Sequence, residues 1–185
     1  MKINEKGFWM NDTQEGHAND ETLSVALISL FDVLGVRSIL DLGCGPGFYL
    51  SKFKTAGYVC DGFDGNPNTP KLTNGLASVL DLSIPCDLGK KYDCVISLEV
   101  GEHLPKKYES VFIDNITKHA KEWLILSWAI PGQTGDGHVN CQTNEYVARE
   151  IIKKGFDRLM EFEKNLRDSA KFFWFKNTIM VFKRV

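Results

Sequence analysis

The order of apolar runs predicts an α/β fold, a mostly parallel sheet with helices on both faces. Three observations carry the prediction. Strand-like runs alternate with helix-like segments along the chain. Several of those runs end at an acid, as Asp64, Asp81 and Glu99 do. The stretch Asp41-Leu42-Gly43-Cys44-Gly45-Pro46-Gly47 joins the strand-like Ser38-Ile39-Leu40 to a helix beginning near Phe48. Ligands of such sheets bind beyond the carboxyl ends of the strands, so the loops at 41–47, 64–66, 81–86, 99–105 and 131–142 are expected on one edge.

The elements follow in order. Residues 7–19 are largely polar around Phe8, Trp9 and Met10 and read as an ordered arm or lid, with residues 1–20 preceding a core at 21–185. Leu23, Ala26, Leu27, Leu30, Phe31 and Leu34 repeat with the period of an amphipathic helix, capped by Asp20 or Asn19 and stopped by Gly35. A short helix from Phe48 to Ala56 closes at Gly57, and Tyr58 to Phe63 resumes a strand that ends at Asp64. Ala77 to Leu82 and Tyr92 to Leu98 are the next two strands. Val111, Phe112 and Ile116 mark a helix, and Trp123 to Ile130 a fifth strand stopped by Pro131-Gly132. Thr143 opens a helix to Lys154 that ends at Gly155. Phe156 to Leu166 and Thr178 to Val185 are expected as the last strands, joined by a loop holding Phe172-Phe173-Trp174-Phe175.

Composition bounds the function. The 185 residues suit one domain spanning 1–185 with no room for a second. Lys and Arg number 22 against 24 Asp and Glu, so no overall basic field favours a long polyanion, and a small or neutral substrate is expected ahead of nucleic acid. Five cysteines without a C-x-x-C pair read as reduced thiols. With no apolar leader and no long apolar run, a cytoplasmic chain without a membrane segment is the expectation.

The glycine turn is the richest signal. Gly43, Gly45 and Gly47 let the backbone take positive φ and let a ligand approach without meeting a Cβ, while the following helix offers free N–H groups and a positive dipole end. The pattern D-x-G-x-G-x-G differs from the dinucleotide fingerprint G-x-G-x-x-G. Asp64 follows Asp41 by about 20 residues, an interval at which an acid takes ribose hydroxyls in nucleotide-binding α/β folds.

This turn resembles motif I of class I S-adenosylmethionine-dependent methyltransferases. The resemblance covers Ser38 to Val185 and implies a Rossmann-like seven-stranded sheet in the order 3-2-1-4-5-7-6, with the last strand antiparallel. It implies that Asp41, Gly43, Gly45 and Gly47 face the methionine part of S-adenosylmethionine, that Asp64 holds the ribose, and that Asp81 and Leu82 clamp the adenine. A bland reading of Asp81 is a strand-ending acid that caps the next turn.

Glu99, Glu102 and His103 are spaced i, i+3, i+4 and would share one face of a helical turn, where carboxylates and imidazole suit a divalent cation. This E-x-x-E-H resembles the metal motif of the small-RNA 2′-O-methyltransferases and of ubiquinone-pathway enzymes that methylate a catechol-like ring. The resemblance implies a further histidine from a later loop, for which His138 between its glycine neighbours is the candidate. Mg²⁺ is the ion that the RNA group implies, whereas two imidazoles also suit Mn²⁺, Fe²⁺, Co²⁺ or Zn²⁺. Without a metal, His103 or His138 is the general-base candidate. His17 either joins the site from the arm or is ordinary surface.

The expected activity is divalent-metal-dependent O-methylation of a vicinal-diol hydroxyl in a sugar, glycoconjugate or small molecule. RNA ribose 2′-O-methylation is one alternative, and a non-catalytic cofactor-binding module of a larger polypeptide is another. The aromatic run at 172–175 reads as core packing or an interface between copies ahead of a stacking platform for a ring.

Overall fold

A computed structural model describes residues 2–185 and contains one seven-stranded sheet in the order β3-β2-β1-β4-β5-β7-β6. Its strands are β1 (Ser38–Leu42), β2 (Val59–Asp64), β3 (Ser78–Val79), β4 (Tyr92–Leu98), β5 (Ala120–Ser127), β6 (Phe156–Arg158) and β7 (Met180–Arg184). The β1–β2, β2–β3, β1–β4 and β4–β5 pairs are parallel, while β7 runs antiparallel to both β5 and β6. The strand order expected from the motif resemblance is therefore the one observed.

Alternation explains why helices cover both faces. Ile39, Cys94, Ile96, Ile125 and Val181 point to one core layer. Leu40, Val95, Leu124, Leu126 and Phe182 point to the other. The first layer is closed by α1 (Glu21–Leu34) and α2 (Phe48–Thr55), through Leu23, Leu27, Phe31, Leu50 and Phe53. The short α3 (Thr69–Leu72) follows β2. The second layer is closed by α4 (Glu109–His119) and α5 (Asn144–Ile152), through Phe112, Ile116, Val147 and Ile151. Each such side chain removed from water contributes on the order of 1.5–3 kcal/mol before conformational entropy is set against it.

Two expectations change near the C-terminus. Only Phe156–Arg158 is strand, and Met160–Ser169 forms a helix, α6, where a strand to Leu166 was expected. The residues E-F-E-K-N-L alternate locally, but Phe162, Leu166 and Ala170 recur every four positions and pack on the first core layer. Glu163, 1% exposed, also holds the start of the helix by accepting two bonds from the Arg158 guanidinium at 2.7 and 2.9 Å. The aromatic run is likewise no loop, since Phe173–Thr178 forms a one-and-a-half-turn helix, α7. At the opposite edge β3 is only two exposed residues, shorter than the apolar run Ala77 to Leu82 suggested. Among the described residues no helix is long and apolar enough to cross a membrane.

Asp20 ties the start of α1 to the far end of the chain. Fully buried, it accepts hydrogen bonds from the N–H of Leu23 at 3.0 Å, the Thr22 hydroxyl at 2.7 Å, and the N–H groups of Lys171 at 2.7 Å and Phe172 at 3.0 Å. Burial pushes its carboxyl up, but these bonds outweigh burial and hold it below the usual carboxylate range. The ionised form is therefore favoured on folding. Its contribution is present above about pH 4 and is lost as pH falls through the lowered folded-state value. Asp20→Ala, which orphans a cap and two further N–H groups, is expected to cost about 2–4 kcal/mol in urea denaturation at pH 7, with the deficit shrinking in acid.

Candidate active site

Every βα loop of the parallel strands opens on the same edge, and there the chain encloses a cavity of about 540 Å³. Asp41, Gly43, Gly45, Asp64, Leu82, Glu99, His103 and His138 all line it. Asp81, Gly47 and Glu102 lie outside that wall: Gly47 starts α2 from the left-handed region at φ 79°, and Glu102 is fully buried behind it.

The glycine turn is built by its backbone. Gly43 and Cys44 donate to the Phe63 carbonyl at 2.7 and 3.1 Å, which fixes the turn against the end of β2. A Cβ on Gly43, at φ 86°, would come within 2.3 Å of the Val100 side chain. Gly45 donates its N–H to Asp64 Oδ2 at 2.9 Å, and Asn66 donates to Asp64 Oδ1 at 2.8 Å. The carboxylate of Asp64 is thus held in one orientation at the cavity. Asp41 beside it is 3% exposed, and burial, reinforced by the charge of Asp64, pushes its carboxyl up to about 8.

Asp81 has other partners. Its carboxylate accepts from Lys6 Nζ at 2.6 Å, the Ser83 N–H at 2.8 Å and the Ser83 hydroxyl at 2.5 Å. Leu82, 3% exposed, is the member of the pair on the cavity wall.

On the neighbouring loop the E-x-x-E-H residues form a turn rather than a helix. Glu99 sits in the left-handed region at φ 55°, unusual for a residue with a Cβ, so it leaves the face that Glu102 and His103 would share with it in a helix. Its N–H donates to Ser127 Oγ at 2.9 Å. Its carboxylate accepts from Gln133 Nε2 at 2.6 Å and from the Thr178 hydroxyl at 3.2 Å. The set that converges is Glu102, His103 and His138, with one donor atom from each lying within 4.8 Å of the others.

Glu102 is the unusual member. It is 0% exposed and neither carboxylate oxygen has a hydrogen-bond partner. Burial, then the nearby charge of Glu99, pushes its carboxyl well above the usual range. Its carbonyl accepts from both Val139 and Asn140 N–H at 2.9 Å, which anchors the 135–140 loop and brings His138 across. His138 Nδ1 lies 3.1 Å from the Gln133 carbonyl. A carbonyl only accepts, so Nδ1 carries the proton and the lone pair of Nε2 faces Glu102 Oε1 at 4.0 Å. Gly135 permits this pose, because a Cβ there would come within 2.2 Å of the His138 ring. His103 packs edge-on to His138 with ring centroids 5.0 Å apart, and its buried Nδ1 has no partner. Burial, then the His138 charge, lowers His103 to about 4, leaving a neutral imidazole at physiological pH.

The arm roofs the cavity. Residues Gly7, Phe8, Trp9 and His17 line it, and Asn66 and Asn68 donate to the Asn11 carbonyl at 2.9 and 3.2 Å. Trp9 stands 4.7 Å from the His17 ring and 5.7 Å from the His103 ring, bridging the glycine-turn side and the histidine side. His17 therefore belongs to the site, with its imidazole lowered by burial against an opposing pull from Asp64. Phe173, Trp174 and Phe175 complete the wall from α7. The aromatic run was visible in the sequence, but its placement depends on strand β7 beside β5, which no local pattern encodes.

Comparison with known proteins agrees with this architecture. A family model described as a methyltransferase domain matches residues 16–129. No curated protein sequence gives a significant match. Among solved structures, magnesium protoporphyrin IX methyltransferase from Synechocystis PCC 6803 with bound SAH superposes with a TM-score of 0.66 at 20% identity, over 88% of this chain and 82% of that one. CalS10, an amino pentose methyltransferase from Micromonospora echinaspora with bound SAM, gives 0.68 at 14% identity, over 88% and 90%. The methyltransferase domain of bacterial CtHen1 gives 0.61 at 15% identity, over 89% and 98%. These likenesses show a shared fold, and the family match spans more than half of the sequence. The chain belongs to the class I S-adenosylmethionine-dependent methyltransferases.

Proposed function

We propose that this enzyme methylates a hydroxyl oxygen of a vicinal diol, in a sugar, glycoconjugate or other small molecule, with a divalent cation held by Glu102, His103 and His138. The observation that carries the reading is Glu102, a fully buried carboxylate with no hydrogen-bond donor beside two imidazole nitrogens free to coordinate. An uncompensated buried carboxylate is costly, and a cation offsets that cost. One carboxylate with two imidazoles suits Mn²⁺ well and Mg²⁺ less well. Glu99, already engaged by Gln133 and Thr178, stands beside this set.

When bound, the cation would supply Lewis acidity toward the two acceptor oxygens. The chain's residues do the remainder. The glycine turn brings its backbone to the methionine portion of the cofactor, Asp64 accepts from the ribose hydroxyls, and Leu82 packs against the adenine. The arm, with Trp9 across the two halves, keeps water from the reacting centre. In metal-free protein the lone pair of His138 Nε2 is the group placed to take the acceptor proton.

Asp64→Ala is expected to weaken S-adenosylmethionine binding by at least about 10-fold in calorimetry, since a charge-assisted bond is worth about 1.5–3 kcal/mol. Unchanged affinity would remove Asp64 from the ribose. Asp41, protonated below about pH 8, should lose its proton when the cofactor's sulfonium arrives. Calorimetry at pH 7 in buffers of differing ionisation enthalpy should therefore show proton release. The release should fade above pH 9 and be absent in Asp41→Asn.

Chelation is expected to abolish methyl transfer to diol acceptors while changing the melting temperature little, because the apolar core is complete without the ion and Glu102, its carboxyl pushed up by burial, takes a proton in the ion's place. Glu102→Gln should lower turnover at least about 100-fold and abolish Mn²⁺ binding in direct titration. Full turnover by metal-free protein would refute the metal and leave histidine as base. With a net charge of −2, transfer should depend weakly on salt, and a steep salt dependence with methylated RNA as product would favour the nucleic-acid acceptor.

A further inference from the structure

We propose that α7 is the wall that selects the acceptor: Trp174, flanked by Phe173, stacks on the flat apolar face of a ring that carries the hydroxyl to be methylated. This rests on the diol reading above and adds the requirement for a ring. The sequence favoured core or interface for these aromatics, and the structure divides them. Phe175 is core at 3% exposed, whereas Phe173 is 62% exposed, and both line the cavity with Trp174. Phe172 does not line it. It lies flat against Trp174, with centroids 4.5 Å apart at 13°, and so supports one face of the indole. Phe173 meets Trp174 edge-on at 5.2 Å and 81°, which makes a corner rather than a closed stack.

The corner is fixed relative to the chemistry. Thr178, fully buried, has its hydroxyl 2.8 Å from the Trp174 carbonyl and 3.2 Å from Glu99 Oε1. Glu99 in turn is bonded by Gln133, whose carbonyl orients His138. Thr178 thus sets its hydroxyl between the aromatic helix and Glu99, and Gln133 holds both Glu99 and the imidazole beside Glu102. An apolar corner beside Glu99 and Gln133 matches a molecule with one C–H or π face and a polar edge. Pyranoses and catechol-like rings share that chemistry, while acyclic diols lack the face.

The test is saturation-transfer NMR on the full chain with S-adenosylhomocysteine, using methyl β-D-glucopyranoside, catechol and acyclic glycerol as probes. At least one ring probe is expected to take up saturation and glycerol none, and whichever ring binds identifies the source. Trp174→Ala should weaken that probe about 10-fold and Trp174→Phe much less, with S-adenosylhomocysteine affinity unchanged within about twofold. If Trp174→Ala fails to bind S-adenosylhomocysteine, Phe173→Ala, on an exposed side chain, carries the test and should weaken the ring about threefold. Ring binding indifferent to both variants, or no ring bound in preference to glycerol, overturns the proposal and leaves the diol and metal reading intact. Activity that survives chelation while the Trp174 effect persists would overturn the metal and keep the ring.

Discussion

Parallel strands cannot be joined by tight turns, and this constraint governs the molecule. Each pass through the parallel part of the sheet requires a crossover, so successive strands end on the same edge and deliver their loops to one place. The glycine turn after β1, the Asp64 loop after β2 and the Glu99–Leu104 segment after β4 meet because β2, β1 and β4 are neighbours. The apolar core on both faces serves the site by making this edge rigid. Ile39 and Leu40, or Leu124 and Ile125, bury to opposite layers, so a one-residue slip in either strand would send each side chain into the other layer and mispack both.

The edge so built is electrostatically unfinished. Asp41 and Asp64 share one end of it, and Glu102 and Glu99 the other, with Asp41 and Glu102 pushed toward the protonated form by burial. Stability alone would place apolar side chains at such positions. In the proposed reading, acids retained there are matched to positive charge that arrives with a ligand: a sulfonium at the first pair and a metal ion at the second. Between them the cavity wall carries Trp9, Val100 and Leu98, with Asp136 as a further acid on the same wall.

The arm couples access to chemistry. Its hold on the edge is a handful of polar contacts, Lys6 to Asp81 and Asn66 and Asn68 to Asn11, together with close packing of Phe8 over Gly65, where a Cβ would come within 2.4 Å of the ring. Half-buried ion pairs and single hydrogen bonds of this kind contribute on the order of 1 kcal/mol each. Trp9 against His103 and Ile3 against Gly137 add apolar packing to this hold.

The sequence by itself determined the fold class, the strand order through its resemblance to motif I, and an N-cap at Asp20 or Asn19, and it singled out Asp41, Asp64, Glu102, His103 and His138, which the fold brings to one edge. These are legible because glycine turns, caps and periodic apolar faces are local consequences of side-chain size and backbone freedom. The Phe156 to Leu166 segment misled because over a few residues a helix face and a strand face carry the same letters, and packing against α1 and β7 decided for the helix. Only the tertiary structure decided that Glu99 leaves the shared face, because its left-handed backbone follows from how β4 meets Ser127 on β5. Only it decided that Asp81 is committed to Lys6, that His17 enters the site, and that Phe173 and Trp174 form a cavity wall. Those outcomes depend on contacts between residues distant in sequence, where orientation is set by neighbours that the local pattern does not contain.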